Sequence, residues 1–271
     1  MKDFRGKVAV ITGAGAGIGR AVALELARNG AQLALSGRNL DSVAETAALC
    51  EKEGAKARAY RLDVTDRAAV YAHADEVVAD FGQVNIVVNN AGVSLTANIE
   101  DVTWEDLEWI FGINFWGTAH GTKAFLPHVI ASGDGHIANV SSMFGLVACP
   151  SQGGYSSSKY AMHGFTDALR QEMIISGYNV GVSSVHPGMI KTEIAWKARA
   201  SANRDRDALA ANFDKLAKTT PQQCAHTIVE GMRKNKPLIL IGSDAKAMNW
   251  MRRILGSAYM KPLTAQMRKE I

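Results

Sequence analysis

The chain has 271 residues, 47% of them hydrophobic and 21% charged, with only 6 prolines. That balance supports a large buried core and excludes a disordered chain, and no apolar run approaches bilayer-spanning length. The net charge of +4 is unevenly placed: Lys246, Arg252, Arg253, Lys261, Arg268 and Lys269 face Glu270 alone in the tail, so residues 1–244 are close to neutral.

No interleaving of aromatic and basic residues points to nucleic acid. Cys50, Cys149 and Cys224 lie far apart, with no CxxC pair and no histidine at ligand spacing. This argues against a disulfide framework or a metal site and fits a reducing, cytoplasmic compartment. The charged start Met1–Lys7 runs straight into a strand, so no secretory signal is expected.

In chain order, Lys7–Thr12 reads as a buried strand. Gly17–Asn29 carries Ile18, Val22, Leu26 and Ala27 at helical spacing and stops at Gly30. Gln32–Leu35 is a second strand, Leu40–Glu53 a helix, Lys56–Leu62 a third strand, Asp66–Phe81 a helix and Asn85–Val88 a fourth strand. Two helices, Thr103–Trp116 and Thr118–Ala131, precede a strand at His136–Val140. A helix at about Tyr155–Ser176 and strands at Val180–Val185 and Leu238–Ile241 follow. Strands alternating with helices imply parallel crossovers, hence a doubly wound α/β domain with helices on both faces of a parallel sheet. Residues 1–244 form that single domain, and 245–271 read as a basic amphipathic extension.

Between the first strand and helix lies Thr12-Gly13-Ala14-Gly15-Ala16-Gly17-Ile18-Gly19. Glycines there permit positive φ and let backbone N–H groups approach a pyrophosphate at a helix N-terminus. The spacing is TGxxxGxG rather than GxGxxG. A tight packing turn is the alternative reading, and the position in the first βα unit favours nucleotide binding. After strand two, Leu35-Ser36-Gly37-Arg38-Asn39 offers no carboxylate for a ribose 2′-hydroxyl. Ser36 and Arg38 instead suit a 2′-phosphate, so NADP(H) is the expected cofactor.

Tyr155 and Lys159 stand four apart, on one face of a helix. Asn139-Val140-Ser141-Ser142 ends a strand upstream, and Asn89-Asn90-Ala91-Gly92 ends another, so both reach the carboxyl edge of the sheet where ligands bind in open α/β folds. Asn114 lies in the following helix. A free tyrosine titrates near 10, and a neighbouring ammonium lowers that value toward the working range.

From about Lys7 to Ile241 these motifs, with Asp63-Val64 and Pro187-Gly188, resemble the short-chain dehydrogenase/reductase family. The resemblance implies a Rossmann-type fold and hydride transfer between NADP(H) and a ketone, aldehyde or secondary alcohol. It implies that Tyr155 is the general acid/base, that Lys159 bonds the nicotinamide ribose, that Ser142 bonds the substrate oxygen and that Asn114 anchors a relay water. Asp63 and Val64 would sit by the adenine; Asn90, Ala91 and Gly92 along the cofactor; and Pro187, Gly188, Ile190 and Thr192 at its nicotinamide end. Phe144, Leu146, Val147, Cys149 and the stretch from Met189 to about Leu216, with Ile190, Ile194, Ala195, Trp196 and Phe213, would frame a bulky hydrophobic substrate, with ordinary packing beneath a lid as the equal alternative. A 3-oxoacyl-thioester reductase is an alternative, with Lys191, Lys197 and Arg199 as a basic patch. A non-catalytic NADP-sensing regulator is another, opposed by the presence of both Tyr155 and Lys159.

In the tail, Met248, Met251 and Leu255 recur at helical spacing, widened by Trp250 and Ile254. Burial in a homo-oligomer, a dimer or tetramer, is preferred for that face over peripheral contact with a membrane.

Overall fold

The computed structural model describes residues 1–267, so Arg268, Lys269 and Glu270 of the basic tail lie outside the described residues. Seven parallel strands make the central sheet: β1 (Val8–Thr12), β2 (Gln32–Gly37), β3 (Ala57–Arg61), β4 (Ile86–Asn89), β6 (Gly135–Val140), β7 (Val180–Pro187) and β9 (Leu238–Ile241). Two-residue strands β5 (Leu95–Thr96) and β8 (Arg199–Ala200) pair separately. The order β3-β2-β1-β4-β6-β7-β9 reverses between β1 and β4, the topological switch point where a crevice opens.

Side-chain alternation along the strands builds the two layers. Ala9, Ile11, Leu33, Leu35, Ile86 and Val88 face α1 (Gly17–Arg28), α2 (Leu40–Lys52) and α8 (Pro221–Arg233). Val10, Ala34, Val87, Ile137 and Val182 face α3 (Arg67–Phe81), α5 (Gly117–Ala131) and α6 (Gly153–Ile175). Strands buried on both faces explain the near-continuous apolar runs in the sequence.

Expected and observed elements agree closely, with three differences. The helix expected over Thr103–Trp116 is α4 (Trp104–Phe111) followed by a π-helical turn, Gly112–Trp116, that runs directly into α5. Helix α8 is an element not expected above, and its start is marked by a capping box between Thr220 and Gln223 with Pro221 in the first turn. Helix α7 (Arg206–Leu216), capped by Asp205, was folded into the undivided substrate segment.

The tail starts at α9 (Ser243–Leu255) and continues through a short 3-10 turn into α10 (Met260–Met267), so the expected boundary at 244/245 falls inside a helix. Its apolar residues do not form one face. Met248 and Met251 turn inward with Tyr259 and Leu263 onto Leu146 and Val147, whereas Trp250, Ile254 and Leu255 point outward. The reason is the 100° step: Met248 and Met251 share a stripe that Trp250 and Ile254 leave.

His73, His136 and His186 are buried, and desolvation lowers their pKa values to about 4, about 3 and about 3. Each stays neutral in the fold and charges only on unfolding. Their stabilising effect is therefore complete above the ordinary histidine pKa and is lost as pH falls from about 6.5 toward 4. Urea midpoints taken between about pH 7.5 and 4.5 should drop steeply below 6.5, each histidine adding about 1 kcal/mol per pH unit. A flat profile would mean that these rings exchange protons freely while folded.

Candidate active site

The loop from β1 to α1 is held open from behind. Thr12 Oγ1 accepts from the N–H groups of Asn90 (3.0 Å) and Ala91 (3.1 Å). The Asn90 amide donates to the carbonyls of Thr12 and Gly13 at 3.0 and 3.2 Å. The Asn90 side chain thus holds the glycine turn instead of reaching into the cleft. Gly13 and Gly17 take positive φ (65° and 54°), and a Cβ at Gly19 would collide with the Gly13 carbonyl, so those glycines are fixed by geometry.

Helix α1 follows the N-cap residue Ala16 with no side-chain cap and no acid in its first turn; α6 and α9 also lack a side-chain cap, whereas α2, α3, α4, α7 and α8 have one. Uncapped N–H groups opening into a cleft fit a dinucleotide pyrophosphate. Arg20 secures the turn from outside, donating to the Gly15 carbonyl at 2.7 Å and pairing with Glu45.

A cleft of about 560 Å³ follows the carboxyl edge of the sheet. Gly13, Ala16, Gly17, Ile18 and Arg38 line its cofactor end, and Asn90, Ala91 and Gly92 its floor. Ser142, Tyr155 and Lys159 stand mid-cleft, with Pro187, Gly188, Ile190 and Thr192 opposite. Arg38 is exposed at the rim. Ser36 does not join it: its side chain is fully buried and its hydroxyl donates to the Ile11 carbonyl at 3.4 Å. The sheet's period of two turns Ser36 inward, between the pairings with Thr12 and Tyr60. Asp63 caps its own turn through Thr65, and the carbonyl of Val64 contacts His120 Nδ1 at 3.0 Å.

The catalytic candidates converge from three elements. Burial raises the Tyr155 pKa, opposed by a hydrogen bond from Ser142. Burial also pulls Lys159 down to about 7, and its Nζ donates to the Val140 carbonyl at 3.0 Å. This departs from the sequence expectation, in which Lys159 lowers Tyr155. Here both groups are desolvated, Nζ sits 5.8 Å from the tyrosine ring centre, and desolvation disfavours either charge. Asn114 occupies the π-helical turn. Its side chain bonds both the N–H and the carbonyl of Val93, at 2.9 and 3.1 Å, and reaches Ser158 at 3.1 Å. Gly92 has no room for a side chain to spare, with Asn114 Oδ1 and Lys159 Nζ just over 3 Å from where its Cβ would lie.

Beneath Ser142, His186 Nδ1 contacts the Ser142 carbonyl at 2.6 Å while Nε2 meets Ser184 at 2.7 Å. At the nicotinamide end of the cleft, Asp244 of α9 accepts from Met189 N–H at 2.6 Å. Neither residue stands out in the sequence, because the bond that ties each to the cleft spans more than 40 residues. Of the expected basic patch, Lys197 pairs with Glu193 and Arg199 with Asp106, while Lys191 is exposed.

Among the described residues no group of acidic, histidine and cysteine side chains could hold a metal, and no helix is long and apolar enough to cross a membrane.

Residues 7–203 match the short chain dehydrogenase family. A Mycobacterium tuberculosis protein, SadH, whose name places it among oxidoreductases, is 49% identical over 99% of this chain and 98% of its own. A short chain dehydrogenase/reductase from Burkholderia phymatum, solved with NAD, superposes with a TM-score of 0.88 at 32% identity, covering 94% of this chain and 95% of that one. An alcohol dehydrogenase from Thermococcus sibiricus, complexed with 5-hydroxy-NADP, gives 0.74 at 27% identity over 87% and 95%.

A buried lysine lowered to about 7 takes up a proton when the chain unfolds at any pH between that value and its ordinary 10.5. The unfolded state binds more protons there, so stability rises with pH across that window and the penalty is complete below about 7. Replacing Lys159→Met should remove this rise and stabilise the cofactor-free protein near neutrality. Denaturation midpoints of both forms at about pH 7, 8.5 and 10 give the comparison; parallel profiles would mean Lys159 is charged in the fold.

Proposed function

The chain belongs to the short-chain dehydrogenase/reductase family and is an oxidoreductase, and on that premise we propose that it reduces ketones or aldehydes with NADPH, or oxidises secondary alcohols with NADP⁺. The observation that carries this reading is the convergence of Ser142, Tyr155 and Lys159 in one cleft with the uncapped start of α1. When bound, the dinucleotide supplies or receives the hydride.

The remaining work falls to the protein. In the reductive direction Tyr155, kept protonated by burial, gives its phenolic proton to the carbonyl oxygen as that oxygen gains charge. Ser142 donates to the same oxygen and fixes its position, with His186 holding the Ser142 backbone. Lys159 bonds the nicotinamide ribose, and Asn114 anchors the water through which Tyr155 is reprotonated. The glycine turn takes the pyrophosphate, Asp63 and Val64 the adenine, and Arg38 the 2′-phosphate. Ser36 drops out of this assignment.

The hydrophobic character of the substrate rests on Trp109, Phe144, Leu209, Phe213 and Leu216 along the cleft. A homo-oligomer is also proposed, since Trp104, Trp116 and Ile175 stand more than half exposed on α4, the π-helical turn and α6. Residues 245–271 are read as an extension of the catalytic domain, within which Arg252 and Tyr259 bond the loop at Leu146 and Ala148 beside the cleft.

Tyr155→Phe should retain cofactor binding and lose about 10²–10⁴-fold in kcat, because only the proton donor is removed. NADPH oxidation with a hydrophobic ketone, alongside a cofactor titration by fluorescence, measures both; turnover near wild type would refute the assignment.

Cofactor choice is tested at Arg38. A side chain at Gly37 would place its Cβ 3.0 Å from Val43 Cγ2, so Arg38→Leu alone, with no acid added beside it, is the cleaner variant. Losing a charge-assisted contact should lower the NADPH-to-NADH ratio of kcat/KM by about one to two decades. A wild type that prefers NADH would overturn the NADP(H) reading at once.

A further inference from the structure

The substrate half of the cleft is unusually cationic. Lys197, Arg199, Arg204 and Arg206 line it, against Glu193. Three of the four cations are already matched: Lys197 by Glu193 at 2.6 Å, Arg199 by Asp106 at 2.8 Å and Arg206 by Asp207 at 2.9 Å. Arg204 differs. Among the described residues no carboxylate pairs with it, and its guanidinium rests on two neutral oxygens, Asn98 Oδ1 at 3.1 Å and Ser151 Oγ at 2.9 Å.

Both of those bonds leave from one nitrogen, Nη2. A guanidinium carries five N–H donors in a rigid fork, so Nε and Nη1 keep three with no protein acceptor among the described residues. The support is itself built. Ser151 takes a left-handed φ of 60°, uncommon outside glycine, and its hydroxyl donates to Asn98 Oδ1 at 2.8 Å. Its carbonyl accepts from Ala97 N–H at 2.9 Å, and β5 pairs with β8 alongside, tying three segments together around the arginine. Backbone strain at a cleft-lining residue that orients a half-buried arginine marks a position set for recognition rather than for packing.

Arg204 also borders a shallow pocket in which Asp106 and Asp207 are already matched by Arg199 and Arg206. Arg204 lines the cleft together with the apolar side chains of Trp109, Phe144, Leu209, Phe213 and Leu216, so an anionic group on an apolar substrate held there has a cation within the same cleft. Ser151 precedes Tyr155 by four residues, so their Cα atoms lie no more than about 14 Å apart.

We propose that Arg204 is a specificity-determining residue that binds the carboxylate of the substrate, so that the preferred substrates are apolar oxo acids and the corresponding hydroxy acids. Planar, bidentate pairing with a carboxylate is what a guanidinium fork does best, and partial desolvation in the cleft strengthens it. This deepens the oxidoreductase reading and adds no step to it: the hydride still goes to the carbonyl carbon and the proton to its oxygen.

The test compares medium-chain oxo acids with their methyl esters and with an acetoacetyl coenzyme A thioester, each with NADPH. Wild type should favour acid over ester by about 10–100-fold in kcat/KM. In Arg204→Met that ratio should collapse toward one, mainly through KM, and Arg204→Lys should recover part of it as a point charge. A wild type that reduces neutral ketones with no preference for acids would overturn this inference and leave the proposed function standing. An Arg204-dependent preference for the thioester instead would place a phosphate at the site and overturn the carboxylate assignment. Binding is read separately, as the thermal shift given by a saturated carboxylate against its amide. A shift for the acid that vanishes in Arg204→Met supports the inference even in an inactive preparation, and equal shifts overturn it.

Discussion

Where the strand order reverses, β1 and β4 lie side by side but send their chains away in different directions, and the gap between them must be bridged without being filled. Hydrogen bonds between Thr12, Gly13, Asn90 and Ala91 do this from beneath. They pin the glycine turn against the end of β4 through backbone atoms and two short side chains, which leaves the outer side of the turn and the first N–H groups of α1 free. The glycines follow from that proximity, since a Cβ at Gly13 would lie 2.9 Å from the Ala91 Cα. The floor of the cleft and its phosphate-facing rim are one hydrogen-bonded unit.

Desolvation decides the electrostatic state of everything on that floor. Tyr155 and Lys159 are both pushed toward their neutral forms, and the polar atoms around them are matched to partners with Val140, Val93 and Ser158. A site built this way holds its proton and its donors in place while burial weighs against formal charge in the interior. The charges stand at the ends instead: Arg38 at one rim and Arg204 at the other, neither matched by a carboxylate among the described residues.

The tail joins this arrangement through contacts that a description of the central sheet would omit. Asp244 receives Met189 N–H, the Tyr259 hydroxyl accepts from Ala148 N–H at 3.2 Å, and Arg252 bonds the Leu146 carbonyl and the Tyr160 hydroxyl. Both loops framing the reacting end of the cleft are therefore braced from α9 and the turn after it. The remaining apolar face, with Trp250 67% exposed, is left on the outside beside Arg253.

The order of strands and helices, the glycine turn and the spacing of Tyr155 and Lys159 were legible in the sequence, because each depends on local periodicity or on residues a few positions apart. Ser36 was misjudged for the same reason: adjacency to Arg38 was visible, but which face of β2 points into the core depends on pairing with β1 and β3. The π-helical turn at Asn114 carries no residue motif of its own, so the sequence reads as two ordinary helices there. What only the tertiary structure decided were the contacts between distant segments: His186 under Ser142, Asp244 on Met189, Asn98 and Ser151 on Arg204. They are set by how the loops meet above the sheet, and a linear pattern carries no record of which side chains that meeting leaves unpartnered.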